Sequence, residues 1–437
     1  MGIVHLLRLV FVVFITCQFG AHGKAKVRYD GYQVIRMIPN SLDELDWLIN
    51  YIESRKELDV WKEPSKVGHP VDIMVPPRTA DSEDLVSLAT DTGIYTTIMI
   101  QDVQKLIDNE GSSRSLSQRS MGTGFDYTTY HTYDEIEKWI DDIANQYSGL
   151  VSVEEVSSTY EGKIIRGIKI GSPSGNLKPI AYIQGGIHAR EWISPATVMF
   201  MTYKLLDAYQ KMDPLVTEMF NKIDWYIVPV LNADGYIYTW TNDRNWRKNR
   251  RRAPGDACVG IDLNRNYAYE WGGKGASRSS CALTYRGPGP ASEIEVIKIT
   301  DFLRKKNEMT DINLYIDVHS YGMFWLYPWG YTDDTTVSQP DRERQYSLGM
   351  RANEAISATN GKSYLVGEAR EHLYVNPASG GSDDWAYGEL KIKYAYTIEL
   401  RDEGQYGFML PETEIAPTTE EIYAAMLVVG EQLLSEL

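Results

Sequence analysis

Residues 178–192, KPIAYIQGGIHAREW, constrain the fold of this chain more than any other stretch. The apolar run 180–183 reads as a buried strand, and Gly185-Gly186 breaks it. His188 and Glu191 follow with two residues between them. Ser194 then suits a helix N-cap, and Pro195 the first helical position. A His-x-x-Glu pair thus sits in a strand-to-helix turn, at the carboxyl end of a strand. Open α/β sheets place their ligands there.

The chain has 437 residues, enough for two domains or one large domain with an accessory unit. At 43% hydrophobic and 24% charged, it is ordinary globular material that can bury a sizeable core. A net charge of −16 argues against a nucleic-acid partner, because phosphate binding needs basic surface. Residues 1–23 read as a signal peptide. His5 and Arg8 lie at its head, the apolar stretch 9–19 is too short to cross a bilayer comfortably, and Ala21-His22-Gly23 gives a small-residue cleavage site. No other stretch is suited to span a membrane, so the expected product is secreted, soluble and monomeric. Cys17 leaves with the signal peptide, and a bridge between Cys258 and Cys281 is the natural pairing in an oxidising compartment.

Residues 24–110 carry their own pattern. Strands are expected at 32–39, 58–63, 71–76 and 95–100, and helices after Ser41 and over 82–93, with a short helix at the end. Ser41 with Glu44 makes a capping box. The order βαββαβ predicts a small ferredoxin-like α+β unit. Residues 111–124, GSSRSLSQRSMGTG, are Gly/Ser-rich and read as a linker in which Arg114 and Arg119 are cleavage candidates for a trypsin-like protease. Residues 125–437 open with a helix capped by Thr132 and Glu135 and stopped at Gly149. Strands at 151–156, 164–170, 180–184, 223–230, 312–318 and 393–400 then alternate with helices at 195–210, 291–306, 341–359 and 418–436. That alternation predicts an α/β/α domain with a mixed, mostly parallel twisted sheet.

Two histidines end apolar strands: His188, and His319 after NLYIDV. With Glu191 they supply two imidazoles and one carboxylate. That is the donor set of a catalytic zinc site with an open fourth position. Glu399 ends a third strand, on the face with Ala395 and Thr397, and is the candidate general base. Asn264-Arg265 follows apolar Ile261 and Leu263, and an arginine held there grips a carboxylate in bidentate fashion. Arg247 is placed to donate to a developing oxyanion. Arg250 to Arg252 read as a solvated basic face. On these residues alone, an aminoacylase-like metal hydrolase is also open.

The motifs GGIHAREW, DRNWRK, CVGIDLNRN, DVHSYG, SGGSDDW and TIELRDEGQYGF, in this order, resemble the zinc metallocarboxypeptidases of the pancreatic carboxypeptidase A/B family. The resemblance covers nearly the whole chain after residue 23. It implies one zinc ion per chain, held by His188, Glu191 and His319, with Glu399 as base and Arg247 as oxyanion donor. Asn264 and Arg265 match the pair that holds the substrate's terminal carboxylate. Arg190 and Arg244 match arginines along the substrate path, and Asp262 the carboxylate that orients the first zinc histidine. Cys258 and Cys281 match the family's disulfide. Residues 24–110 match a propeptide that inhibits its own enzyme.

The family's mobile tyrosine precedes the SGGSDDW motif. Counting back from that motif reaches Asn376, and counting forward from Gly367 reaches Tyr374. A two-residue insertion in this loop assigns the role to Tyr374. In the family, the residue after the serine of GGS lies at the bottom of the pocket for the C-terminal side chain, and here it is Asp383. Ala369 and Gly330 leave room beside it. A buried carboxylate there demands a cationic partner. The expectation is a secreted zymogen that releases Lys or Arg from peptide and protein C-termini. The rivals are the same chemistry with a preference for aromatic or aliphatic ends, and a non-catalytic extracellular zinc-binding protein.

Overall fold

The computed structural model describes residues 25–55, 58–77, 85–110, 124–252, 255, 257–336, 338–372 and 377–437. The expected signal peptide, the linker arginines Arg114 and Arg119, and both Tyr374 and Asn376 lie outside the described residues.

Strands β1 (Gln33–Ile38), β2 (Asp59–Lys62), β3 (Val71–Val75) and β4 (Tyr95–Ile100) form an antiparallel sheet in the order β2-β3-β1-β4. Helices Leu42–Ser54 and Leu85–Asp91 complete the expected βαββαβ unit, and Val103–Glu110 follows it. Ile35, Met37, Val71 and Ile73 face Leu48, Leu85 and Ala89 in its core. Ser41 caps the first helix by accepting from Glu44 N at 3.2 Å. The reciprocal arm differs from the expected box: Glu44 Oε2 accepts from Asn40 N at 2.7 Å. Its side chain reaches past the cap to the preceding N–H.

The second sheet has eight strands: β5 (Val151–Ser158), β6 (Ile164–Ile170), β7 (Ile180–Gly185), β8 (Asp224–Val228), β9 (Ile312–Ser320), β10 (Phe324–Tyr327), β11 (Leu365–Glu368) and β12 (Tyr394–Leu400). Their order is β11-β10-β12-β9-β7-β8-β6-β5. Pairs β10–β11, β9–β12, β7–β9 and β7–β8 are parallel, and the other three are antiparallel. Alternate residues feed two cores. Ala181, Ile183, Leu314, Ile316, Tyr396 and Ile398 meet helices Tyr133–Gln146, Ile193–Gln210, Arg342–Asn360 and Ile415–Ser435. Ile180, Tyr182, Tyr315 and Ala395 meet Ile294–Met309 and Ser382–Gly388 on the other face.

Thr132 and Glu135 form both arms of their capping box, but that helix ends at Gln146, three residues before Gly149. β10 and β11 were not expected from the sequence. Each is four residues long and β10 is buried throughout, so neither shows a period. Helices Pro214–Lys222 and Ala233–Thr241 were also not expected; Asn232 starts the second by accepting from Gly235 N at 3.0 Å. The solvated reading of Arg250 to Arg252 is corrected at two positions. Arg250 is buried between the rings of Tyr238 and Trp246, 3.5 and 4.3 Å from their centroids. Arg251 pairs with Glu293, and only Arg252 is exposed. Aromatic stacking on a guanidinium offsets its lost hydration.

The small sheet docks on the large one through a shared apolar cluster. Trp61, Met74 and Ile100 pack against Tyr321, Phe408 and Met409. Trp61 lies 4.9 Å from Phe408, ring centre to ring centre.

Candidate metal centre and active-site cleft

At the end of β7 the chain turns at Gly186, whose φ is +64°. A Cβ there would meet Val230 Cα at 3.1 Å, so glycine lets the two backbones pass. The expected N-cap role of Ser194 is not what the structure shows. The helix begins at Ile193 with Trp192 at its N-cap and no side-chain cap. Ser194 Oγ instead accepts from Gly186 N and donates to Val318 O. It fastens the turn to β9, and the turn carries His188 and Glu191 to the end of that strand.

Three buried side chains converge there. His188 Nδ1 lies 2.8 Å from Glu191 Oε1. His319 Nδ1 lies 3.1 Å from Glu191 Oε2 and 3.1 Å from His188 Nδ1. Among the described residues, no other group of three or more His, Cys, Asp or Glu side chains is close enough to hold a metal. Zn–N bonds of about 2.0–2.1 Å in a tetrahedron set donor atoms roughly 3.3–3.4 Å apart. These side chains fit that ion with shifts of a few tenths of an ångström. Behind the first histidine, Asp262 Oδ1 lies 3.0 Å from His188 Nε2. Arg247 donates to Asp262 Oδ2 from Nη2 at 2.9 Å. Burial by itself raises the Glu191 carboxyl, but His188 and His319 outweigh it and hold it well below the usual range. Asp262 is likewise held low, with Arg247 and His188 overcoming its burial.

Glu399 on β12 pairs in register with His319 on β9 and with Phe324 on β10. Its Oε2 is buried and has no hydrogen bond among the described residues. Burial pushes the Glu399 carboxyl up to about 8; Glu191 and Asp317 add to the rise, and His319 and Arg247 oppose it.

Asn264 and Arg265 sit on the short 3₁₀ turn Leu263–Arg265, capped by Asp262. Asn264 Oδ1 accepts from Ser382 N at 2.9 Å. Arg265 Nη1 donates to Asn264 O at 2.9 Å and Nε to Gly275 O at 3.0 Å, which fixes the guanidinium in place. The loop carrying Gly275 is closed by the Cys258–Cys281 disulfide, with a Cα separation of 4.9 Å. Arg247, Arg265, Glu399, Asp383, Gly330 and Ala369 line one cleft with the two zinc-type histidines. A Cβ on Gly330 would lie 3.3 Å from Ala369 Cβ, so both small residues keep this end open. Asp383 is 7% exposed, and burial raises its carboxyl. Asp384 accepts from Gly330 N at 2.9 Å and is a structural partner.

Residues 60–63, of β2 and the position after it, line the same cleft from the small sheet. Arg190 bonds Asp59 Oδ1 at 2.9 Å, and Arg244 takes both oxygens of Glu110 at 2.8 Å. Both arginines expected along the substrate path are therefore engaged by residues N-terminal to the linker. The sequence reading missed Asp59, Glu110, Asp317 and Ser382. Asp317 had a signal, since it lies two residues before His319 and so on the same face of the strand. Asp59 and Glu110 had none.

The fold and site define a metal-dependent hydrolase with a covering unit attached. Residues 136–425 match the zinc carboxypeptidase family, and residues 35–110 match the carboxypeptidase activation peptide. Carboxypeptidase A4 of Mus musculus is 36% identical over 98% of this chain and 99% of its own length. Carboxypeptidase B of Astacus astacus is 43% identical over 70% of this chain and 97% of its own. The crystal structure of thrombin activatable fibrinolysis inhibitor superposes with a TM-score of 0.82 at 34% identity, covering 93% of this chain and 99% of that one. The chain belongs to the zinc carboxypeptidases, as the sequence resemblance implies, and it carries their activation peptide. Its metal is zinc.

Proposed function

We propose that this chain is a secreted zymogen whose mature form releases C-terminal Lys or Arg. The observation that carries the specificity is Asp383, a buried carboxylate in the cleft with no Lys or Arg paired to it among the described residues. Burying such a group without a cation is costly, so a substrate ammonium or guanidinium is its natural partner. Gly330 and Ala369 leave space for a long side chain.

In this reading, His188, Glu191 and His319 hold the zinc. Asn264 and the braced guanidinium of Arg265 take the terminal carboxylate, which selects chain ends over internal bonds. Zinc, when bound, supplies a Lewis acid at the scissile carbonyl and acidifies water beside it. Glu399, with a free buried oxygen and a raised affinity for protons, takes the proton of the attacking water and returns it to the leaving amine. Arg247, oriented by Asp262, donates to the oxyanion. The family's mobile-tyrosine role at the bound residue falls to Tyr374 in this reading.

The leading unit inhibits by placing residues 60–63 in the cleft and by holding Arg190 and Arg244 through Asp59 and Glu110. A trypsin-like cut at Arg114 or Arg119 releases them. The signal peptide directs the chain out of the cell, where it acts as a monomer. The test is hydrolysis of matched peptides ending in Arg and in Phe, before and after trypsin treatment. Faster Arg release that appears only after cleavage supports the reading, and faster Phe release refutes the specificity.

A further inference from the structure

We infer that Asp317 is a positioning residue for the metal site, orienting His319 through its outer ring nitrogen as Asp262 does for His188. The inference rests on His319 being a zinc ligand. With Nδ1 turned inward to the metal, a neutral imidazole carries its proton on Nε2, and that proton needs an acceptor. Two groups face it. Asp317 Oδ2 lies at 3.3 Å, and Asn264 Nδ2 at 3.4 Å. The amide cannot serve. Its Oδ1 accepts from Ser382 N at 2.9 Å, which turns its NH₂ group, a donor, toward the ring. Asp317 is the remaining acceptor among the described residues.

Asp317 is itself tightly held. It is fully buried, and Ser382 Oγ donates to its Oδ2 at 2.6 Å. The register sets it beside Gln184 on β7 and Thr397 on β12. Its other oxygen, Oδ1, makes no hydrogen bond among the described residues, and Oδ2 is held by Ser382 Oγ with His319 Nε2 facing it at 3.3 Å. Ser382 thus spends its N–H on the carboxylate clamp and its hydroxyl on the group behind a zinc histidine. Its neighbour Asp383 lines the cleft. One residue ties three parts of the site together. A carboxylate behind the ring fixes its orientation and strengthens it as a donor. Loss of such a partner generally weakens metal binding by about 10–100-fold.

The experiment uses the full chain loaded with zinc, alongside Asp317→Ala, Asp317→Asn, Ser382→Ala and His319→Ala. It measures zinc release to a chelator, the visible spectrum after cobalt substitution, and the Tm of each apo-protein. The expected result is that Asp317→Ala releases zinc about 10–100-fold faster than the parent, with an altered cobalt spectrum. Asp317→Asn, which keeps an acceptor oxygen but not the charge, falls between. An Asp317→Ala chain with a lowered apo Tm but the parent's release rate and spectrum overturns the inference, provided that His319→Ala has lost zinc. A His319→Ala chain that keeps the parent's affinity removes the ligand assignment itself, and the inference with it. Where Asp317→Ala does not fold, Asp317→Asn and Ser382→Ala decide: parent-like release from both overturns the inference, and faster release from either supports it.

Discussion

Glu110 and Arg244 form a two-bonded ion pair, each carboxylate oxygen 2.8 Å from a guanidinium nitrogen, with both side chains at least nine-tenths buried. The arginine lies over the Trp192 ring, 3.7 Å from its centroid. The pair joins the last residue of the leading unit's final helix to an arginine that donates to the backbone carbonyl of Arg190, a residue lining the active-site cleft. Removing one partner of a buried pair leaves the other uncompensated.

Glu110→Ala is therefore expected to weaken docking of the activation peptide by about 3–5 kcal/mol. The uncleaved variant should hydrolyse a small peptide substrate measurably faster than the uncleaved parent. After cleavage and removal of the leading unit, the two should be indistinguishable. Equal basal rates before cleavage would show that the pair contributes nothing to inhibition.

Asp383→Ile should reverse the choice of C-terminal residue. The buried carboxylate loses its role and the cleft becomes apolar. The ratio of kcat/KM for Arg over Phe substrates should fall by at least about 100-fold, the scale of a broken buried pair. Zinc content should be unchanged, since Asp383 is not among the three converging ligands. A variant that keeps its Arg preference assigns specificity elsewhere.

Glu399→Gln separates base from ligand. Loss of the proton acceptor should lower kcat by about 10²–10⁴-fold, with zinc stoichiometry still one per chain. A variant that loses zinc along with its activity would make Glu399 part of the metal's support. Zinc loss from His188→Ala is the positive control.

Glu295 offers a test of pH-dependent stability away from the site. It is fully buried, and it accepts from Tyr160 N at 3.1 Å. Burial pushes its carboxyl up to about 7 from 4.5. A folded-state pKa above the unfolded one favours the native state in acid. The contribution is fully present below about 4.5 and is lost as pH rises to about 7, roughly 3 kcal/mol in all. Comparing Tm for the parent and Glu295→Gln at pH 5 and pH 8 checks it. The parent should lose ground to the variant on going to pH 8, and parallel Tm curves would refute the assignment.

The local pattern of this chain determined a great deal. Apolar runs placed His319 and Glu399 at the carboxyl ends of strands and His188 in the turn that follows one, as the structure does. Capping residues such as Thr132 located helix starts, and the βαββαβ rhythm of the leading unit was legible because short apolar runs alternate there with segments of helical spacing. Tertiary structure decided what depends on partners far along the chain. It put Asp59 on Arg190 and Glu110 on Arg244, across more than a hundred residues of sequence. It buried Arg250 between two aromatic rings, and it turned Ser194 from a helix cap into a brace on β9. It also set Ser382 between Asn264 and Asp317. Hydrophobic periodicity records which face of an element turns inward. It carries no record of which other element that face will meet, because that is settled only when every buried polar group has found its partner.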